Sequence, residues 1–307
     1  MRKKEFIAIL SALGAVFFWS FSFVWFKIAF IAYKPITVVI FRLAISALLI
    51  TIIAWFLKRL QKPDKKDLKL FFIMSFFEPF LYFLGESYGL QYVSSTAAAV
   101  IVATIPLITP LAVWFFYKEK LRTMTLVGLL FSFAGVAMVV LNGNLRFDAS
   151  PLGVGLEFLA VLSTIGYSLL LKNLASRYNT LTIIAYQNII GVLLFLPIWL
   201  FIDFNDFIQT PFHPQAFRAI VLLAVFSSTL AFVFFTQSVR ELGVTRSNTF
   251  INLIPVCVAV LSFFILKDEL GFQKIAGIIV VVTGLFLSQI RKRDTNGKQK
   301  AVEVHRK

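Results

Sequence analysis

Apolar residues fall into ten long runs, at residues 6–30, 35–57, 68–90, 93–117, 123–141, 151–173, 179–202, 215–239, 244–266 and 272–290. The connectors between them are short and carry Lys, Arg, Asp, Asn or Pro. A bilayer core about 30 Å thick asks for about 20 mainly apolar residues per spanning helix. The pattern therefore predicts an all-α integral membrane protein with ten transmembrane helices. Pro35 and Pro151 open their runs, where a missing N–H does no harm. The first run follows Arg2-Lys3-Lys4, as a signal peptide would, but it outlasts a typical h-region and no A-x-A pattern follows it, so it is read as a permanent helix. The polar tail, 291–307, is expected to lack structure.

Composition strengthens this reading. Hydrophobic residues make up 59% of the 307, and the mean hydropathy is +0.86. A soluble domain of this length cannot bury so much apolar surface. The 36 Phe residues suit packing against lipid tails. The net charge of +15 raises the question of a nucleic-acid partner, but the basic residues lie in short loops and at the two ends, where membrane topology explains them. With the N-terminus in the cytoplasm, 23 of the 30 Lys and Arg fall on the cytoplasmic side, 6 fall outside and Arg42 lies within a span. The bias predicts a multi-pass protein of the inner (plasma) membrane with both termini cytoplasmic. Its expected partners are the lipid bilayer and a small-molecule substrate, with no nucleic acid. Cys257 is the only cysteine, so no intramolecular disulfide can form, and its apolar run marks it as packing. His213 and His305 lie far apart outside the runs. No His/Cys/carboxylate cluster suggests a metal, and no cofactor is expected.

The chain also repeats itself. At a shift of 149 residues, Phe115-Phe116-Tyr117-Lys118-Glu119-Lys120-Leu121 aligns with Phe264-Ile265-Leu266-Lys267-Asp268-Glu269-Leu270. Pro106 then meets Pro255, Gly128 meets Gly277 and Gly135 meets Gly284, while nearer the start of each half a shift of 145 pairs Lys27 with Lys172 and Arg42 with Gln187. Five helices per half is an odd number, so the second half enters the membrane from the opposite side. The predicted plan is two inverted five-helix repeats, 1–145 and 146–290, followed by the basic cytoplasmic tail 291–307. Such inverted repeats place a substrate site near the midplane between them.

Three stretches carry a resemblance. The first is Gly89-Leu90-Gln91-Tyr92-Val93-Ser94-Ser95-Thr96-Ala97-Ala98-Ala99, followed by Pro106 and Lys118-Glu119-Lys120-Leu121. The second is Glu241-Leu242-Gly243-Val244-Thr245-Arg246-Ser247-Asn248-Thr249, followed by Asn252-Leu253-Ile254-Pro255 and Asp268-Glu269-Leu270. The third is Phe18-Trp19-Ser20 together with Phe41-Arg42-Leu43. Over residues 6–290 the sequence resembles the drug/metabolite transporter superfamily in its EamA-type branch. The resemblance implies ten helices, both termini inside, and movement of small metabolites, often amino-acid export. Glu78, Pro79, Glu86 and Glu157 stand outside that pattern and point to a subgroup with its own substrate or coupling.

Charge within a span costs about 2.5–3.5 kcal/mol on insertion scales, so it normally faces a cavity or a partner. Arg42, Glu78, Glu86 and Glu157 are the strong cases. Glu78, Tyr82 and Glu86 are four apart and share one helix stripe. Two readings stand side by side: the stripe and Arg42 line a central cavity, or Arg42 and Glu86 form a static bridge between the second and third helices. Glu157, near a helix start, reads as close to the surface. Gln187, Asn188, Gln237 and Asn252, with Asn248 beside them, can read amino and carboxyl groups of a substrate or simply join helices. Trp19 and Tyr82 are candidate cavity walls. Pro106 and Pro255 are candidate hinges, or fixed kinks. The glycines at seven-residue spacing predict close helix contact, within a monomer or at the seam of a homodimer.

These features predict a secondary transporter that exports amino acids or related small metabolites by alternating access around a central cavity. The rival reading is a flippase or transporter of a lipid-linked or other metabolite. An enzyme is not expected: no histidine lies in any span, and no Walker-type G-x-x-x-x-G-K-[ST] is present.

Overall fold

The computed structural model describes residues 3–117, 123–140, 150–267 and 271–289. Among these residues the chain is all-α, with no strand. The apolar helices are α1 (Lys3–Ala29), α2 (Pro35–Phe56), α3 (Lys65–Tyr92), α4 (Ser95–Val102 and Ile105–Tyr117), α5 (Thr123–Val140), α6 (Pro151–Ala175), α7 (Thr180–Ile202), α8 (Pro214–Leu242), α9 (Val244–Leu266) and α10 (Phe272–Gln289). All but α5 and α10 are identified as long and apolar enough to cross a bilayer. The chain is thus a multi-pass membrane protein. Lys118-Glu119-Lys120-Leu121, Arg146, Asp268-Glu269-Leu270 and the tail 291–307 lie outside the described residues.

Large apolar side chains such as Leu48, Trp55, Leu193 and Phe201 point outward. In water such a surface would drive aggregation, whereas in lipid it is the wetted face. The interior holds Phe23, Phe26, Phe71, Phe83, Phe195 and Phe232, all buried.

The connections gather at two ends. At one end the α2–α3 connection is bound to the α6–α7 connection. The Gln61 amide donates to Thr182 Oγ1 (2.9 Å), the Asn179 amide to Gln61 Oε1 (2.7 Å), and Asn179 Nδ2 to the Arg59 carbonyl (2.5 Å). Asp67, 4% exposed, accepts from Arg177 Nη1 (2.6 Å) and from the Tyr178 hydroxyl (2.8 Å), and Arg240 at the foot of α8 donates to the carbonyls of Ala175 and Tyr178. Glu5 and Arg246 pair at the same end of α1 and α9 (3.0 Å). Hydrogen bonds to a charged group contribute about 1.5–3 kcal/mol, less where the partner is half in water. Asp67→Asn is therefore expected to lower the thermal unfolding temperature, with Tyr178→Phe having a smaller effect. A wild-type melting curve for Asp67→Asn would show that this latch adds nothing.

At the other end, Asp203 caps α2 from outside the helix. Its carboxylate accepts from the Thr37 amide (3.0 Å), an orphan N–H at the helix start, and Trp199 Nε1 donates to Thr37 Oγ1 (3.0 Å). Lys34 pairs with Asp206 beside it. Lys27, near the end of α1, donates to the carbonyls of Leu90 and Val93, where α3 passes into α4.

Helix pairing follows a reciprocal pattern. α2 packs on α7 and α5 on α10; α1 packs on α8 as α3 packs on α6; α1 meets α9 as α4 meets α6. Small residues allow the closest approaches. A β-carbon on Gly135 of α5 would fall 2.7 Å from both the Gly277 carbonyl oxygen and the Val281 nitrogen of α10. The seven-spaced glycines therefore serve, at Gly135 and Gly277, a seam within one chain.

Candidate functional site

α3 is not one continuous helix. Between Lys65–Ser75 and Tyr82–Tyr92 it widens over Phe76–Leu81, where Glu78 has φ −145° and ψ 115°. The residue after it is Pro79, which has no N–H to give the helix and which pushes the residue before it out of the α region. The Pro79 ring seats against Gly191 of α7, and Phe77 against Gly166 of α6. Glu78 thus reaches the interior from extended backbone, not from the helical stripe that the four-residue spacing predicts. α8 widens likewise over Leu223–Ala231. In membrane helices such departures occur where the backbone is buried in protein or lines a cavity.

Between these widened helices lies a cavity. Trp19 and Phe23 line it from α1, Arg42 from α2, and Glu78, Tyr82, Phe83 and Glu86 from α3. Thr164 and Tyr167 of α6, Phe232 and Phe235 of α8, and apolar residues of α4 and α9 complete the wall. Five of the residues singled out in the sequence, Trp19, Arg42, Glu78, Tyr82 and Glu86, therefore come together. Trp19 stands against Phe232 and Phe235, with ring centroids 5.4 and 5.0 Å away.

The charged groups do not neutralise each other by contact. Arg42 and Glu86 make no ion pair within 4.0 Å; the static bridge between α2 and α3 is absent. Arg42 Nε donates to Ser228 Oγ in the widened part of α8 (2.8 Å). Its guanidinium carbon lies 4.2 Å from the Phe83 ring centroid and 4.9 Å from that of Phe26, an arrangement that holds a cation by the ring faces. Arg42 Nη1 is buried and has no hydrogen-bond partner, and the same holds for Glu78 Oε2. Glu86 accepts from the Tyr82 hydroxyl (2.9 Å). The cavity thus offers an unpartnered donor on a fixed cation, an unpartnered carboxylate oxygen, and aromatic walls. Two carboxylates against one guanidinium leave its formal balance negative when all three are ionised.

The amides occupy other places. Gln187 stands one step behind the wall, where its Oε1 accepts from the Tyr167 hydroxyl (3.2 Å). Asn188 Nδ2 donates to Ser46 Oγ (2.7 Å), which bonds Thr229 (2.6 Å); this chain joins α7, α2 and α8. Gln237 is half-buried on α8 away from the cavity, and Asn252 is buried with an unpartnered Oδ1, also off the wall. Asn248 joins α9 to α4 through Thr109 (3.1 Å). Pro106 and Pro255 each sit second in a helical segment, after the break at Ala103-Thr104 in α4 and after the tighter turn Thr249–Leu253 in α9. Glu157 is fully buried, not near the surface: α3 covers it with Gly89. Thr164, Tyr167 and Ser228 had no signal in the sequence, because a hydroxyl in an apolar run is common and inexpensive.

Among the described residues no group of three or more His, Cys, Asp or Glu is placed to hold a metal. Comparison with known proteins fits the architecture. The EamA-like transporter family matches the chain twice, over residues 6–141 and 151–289. The uncharacterized transporter YetK of Bacillus subtilis is 28% identical over 242 residues, covering 78% of this chain and 73% of that protein. An uncharacterized transporter of Archaeoglobus fulgidus is 23% identical, covering 89% and 94%. A crystal structure of a protein 18% identical shares the fold with a TM-score of 0.69, over 92% of this chain and 98% of the other. The chain belongs to the EamA-like transporter family of the drug/metabolite transporter superfamily, and is a membrane transporter of small molecules.

Proposed function

We propose that the chain is a ten-span secondary transporter that exports amino acids or closely related zwitterions by alternating access. The observation that carries this reading is the pairing of two unsatisfied groups on one cavity wall, Arg42 Nη1 and Glu78 Oε2. A buried donor on a cation and a buried acceptor on a carboxylate each cost free energy when left unmade. A zwitterion with one carboxylate and one ammonium satisfies both at once, and Trp19, Tyr82 and Phe232 offer its side chain an apolar surface. Gln187, behind Tyr167, sets the orientation of that hydroxyl. Asn188 serves the helix contacts that carry the moving parts, while Gln237 and Asn252 stand off the cavity wall.

The reciprocal packing of α1 on α8 and α3 on α6, with α2 on α7 and α5 on α10, supports two inverted halves, 1–145 and 146–290. The double family match supports the duplication. The Lys and Arg bias supports placing the latched end, which carries Asp67, Arg177 and Arg240, in the cytoplasm with both termini. Access then alternates by bending at the helix breaks beside Pro106 and Pro255.

Liposomes holding the purified protein, offered labelled amino acids, test the reading. Saturable uptake is expected, competed by unlabelled zwitterion and at least tenfold less well by the matching amine without a carboxylate or acid without an amine. Equal competition by the bare amine would remove Arg42 from substrate recognition. No uptake of any amino acid by folded protein would transfer the weight to a lipid-linked or other metabolite.

A further inference from the structure

Glu157 has no task in the cavity. Its side chain is fully buried, it does not line the cavity, and neither carboxyl oxygen has a hydrogen-bond partner. It lies in the seam where α6 packs on α3. A β-carbon on Gly89 would fall 2.6 Å from its Oε1 and 3.0 Å from its Cδ and Cγ, so the carboxyl occupies the room left by the missing side chain. The seam is closed on either side by two further glycines. Gly85 approaches the Leu156 carbonyl, and Gly153 approaches Tyr92 and Val93.

Among the described residues, the groups with charge or protons that face Glu157 are few. Glu86 and Tyr82 come from α3 and Lys27 from α1. The segment Ser95–Val102 of α4, which also packs on α6, brings no titratable side chain. The Lys27 ammonium is directed to the carbonyls of Leu90 and Val93. An ionised carboxylate without a single hydrogen bond, in a seam of apolar side chains and helix backbone, carries the full desolvation cost of its charge. A proton removes that cost and needs no extra space.

We propose that Glu157 is a proton-binding site in the seam between α3 and α6, separate from the substrate cavity, and that the seam closes only while this site holds its proton. Glu157 is the seventh residue of α6, about 9 Å along the helix at about 1.5 Å per residue. Water reaches it when the seam parts at the end where Lys27 meets Val93. The carboxyl O–H bond then breaks, the proton passes to water, and a carboxylate remains; closure needs the reverse transfer first. The consequence for transport rests on the transporter reading above, but the proton itself can be followed without any substrate.

Infrared difference spectroscopy of the protein in lipid nanodiscs, titrated from acid to alkaline pH, reads the C=O band of protonated carboxyls. With Glu78→Gln and Glu86→Gln removing the cavity carboxyls, a protonated band is expected to persist at neutral pH and to disappear when Glu157→Gln is added. In the otherwise wild-type chain the same substitution is expected to remove one carboxyl from the band, so the result does not depend on the double variant folding. A neutral-pH band unchanged by Glu157→Gln overturns the site. Hydrogen exchange over residues 85–92 and 151–160, divided by the intrinsic amide rate at each pH, tests the closure. In wild type it is expected to rise as pH rises, and in Glu157→Gln, a permanent neutral mimic, to stay flat. An equal rise in both overturns the coupling to closure. Failure of wild type to transport any amino acid would sink the substrate assignment and leave both of these readouts standing.

Discussion

Arg42→Lys is expected to raise the KM for a transported amino acid by about 10- to 150-fold while the protein still folds. The range follows from about 1.5–3 kcal/mol for a hydrogen bond to a charged group, at about 1.4 kcal/mol per tenfold. Lysine keeps the positive charge but loses the planar fork. One guanidinium nitrogen holds Ser228 at 2.8 Å, the plane rests between Phe83 and Phe26, and Nη1 remains for the cavity. An ammonium on a flexible stem cannot do all three. Ser228→Ala separates the roles, since it removes the strut and leaves the cation. If Arg42 only braces α2 against α8, the two variants should fall together. If its free nitrogen meets the substrate carboxylate, Arg42→Lys should lose far more, and the loss should be smaller for the amine that lacks a carboxylate. Uptake kinetics beside thermal unfolding of each variant decide between them. A wild-type KM in Arg42→Lys would make the guanidinium a structural strut.

This contrast also shows what could be read from the chain without coordinates. Charges inside apolar runs are so costly that each one flags itself, and Arg42, Glu78 and Glu86 do converge on one cavity. Their partners could not be read. Depth and spacing made an Arg42–Glu86 bridge reasonable, but the guanidinium is held by ring faces and by a serine 186 positions away. The break at Glu78 has a local cause, Pro79, yet the spacing of Glu78, Tyr82 and Glu86 suited an unbroken helix equally well. Glu157 misled for another reason. Seven residues into α6 it counts as shallow along the sequence, and only the packing of Gly89 across the seam makes it deep. The amides Asn188 and Asn248 carry no sign of whether they face a cavity or a neighbour, because the same group serves both.

The asymmetry between the halves matters for mechanism. On the proposed plan of two inverted halves, Arg42 and Gln187 occupy equivalent places, and both widened helices, α3 and α8, stand third in their halves. Arg42 and both carboxylates nevertheless come from the first half, while the second supplies Ser228, Thr164 and Tyr167. A duplicated scaffold gives two equivalent positions for every group. On that plan, keeping the cavity charges on one half makes the moving parts unequal, so the half with Arg42, Glu78 and Glu86 would hold substrate while the other rocks past it.

Gly85→Ala is expected to be among the most destabilising single-methyl changes in the chain. The new β-carbon would fall 2.5 Å from the Leu156 carbonyl oxygen and 3.0 Å from the Ala160 nitrogen. Both are backbone atoms of α6, held by that helix's own hydrogen bonds, so neither can rotate away and α3 must move off. Overpacking of this kind typically costs about 1–3 kcal/mol, and the absence of any yielding side chain places Gly85 at the upper end. The displacement also has a functional cost, since the α3–α6 contact sets Glu78 and Glu86 opposite Thr164 and Tyr167 and closes over Glu157. Gly155→Ala is the control. It lies on α6 in the same stretch, and a β-carbon there meets nothing within 4 Å. Ala is favoured over Gly in a helix by about 1 kcal/mol, so this change should be neutral or slightly stabilising. Thermal unfolding of both variants in nanodiscs, with uptake measured on the folded fraction, is expected to show a large loss at Gly85 and none at Gly155. Equal melting of the two would mean that α3 and α6 slide freely, and the seam could then neither fix the cavity nor seal a proton site.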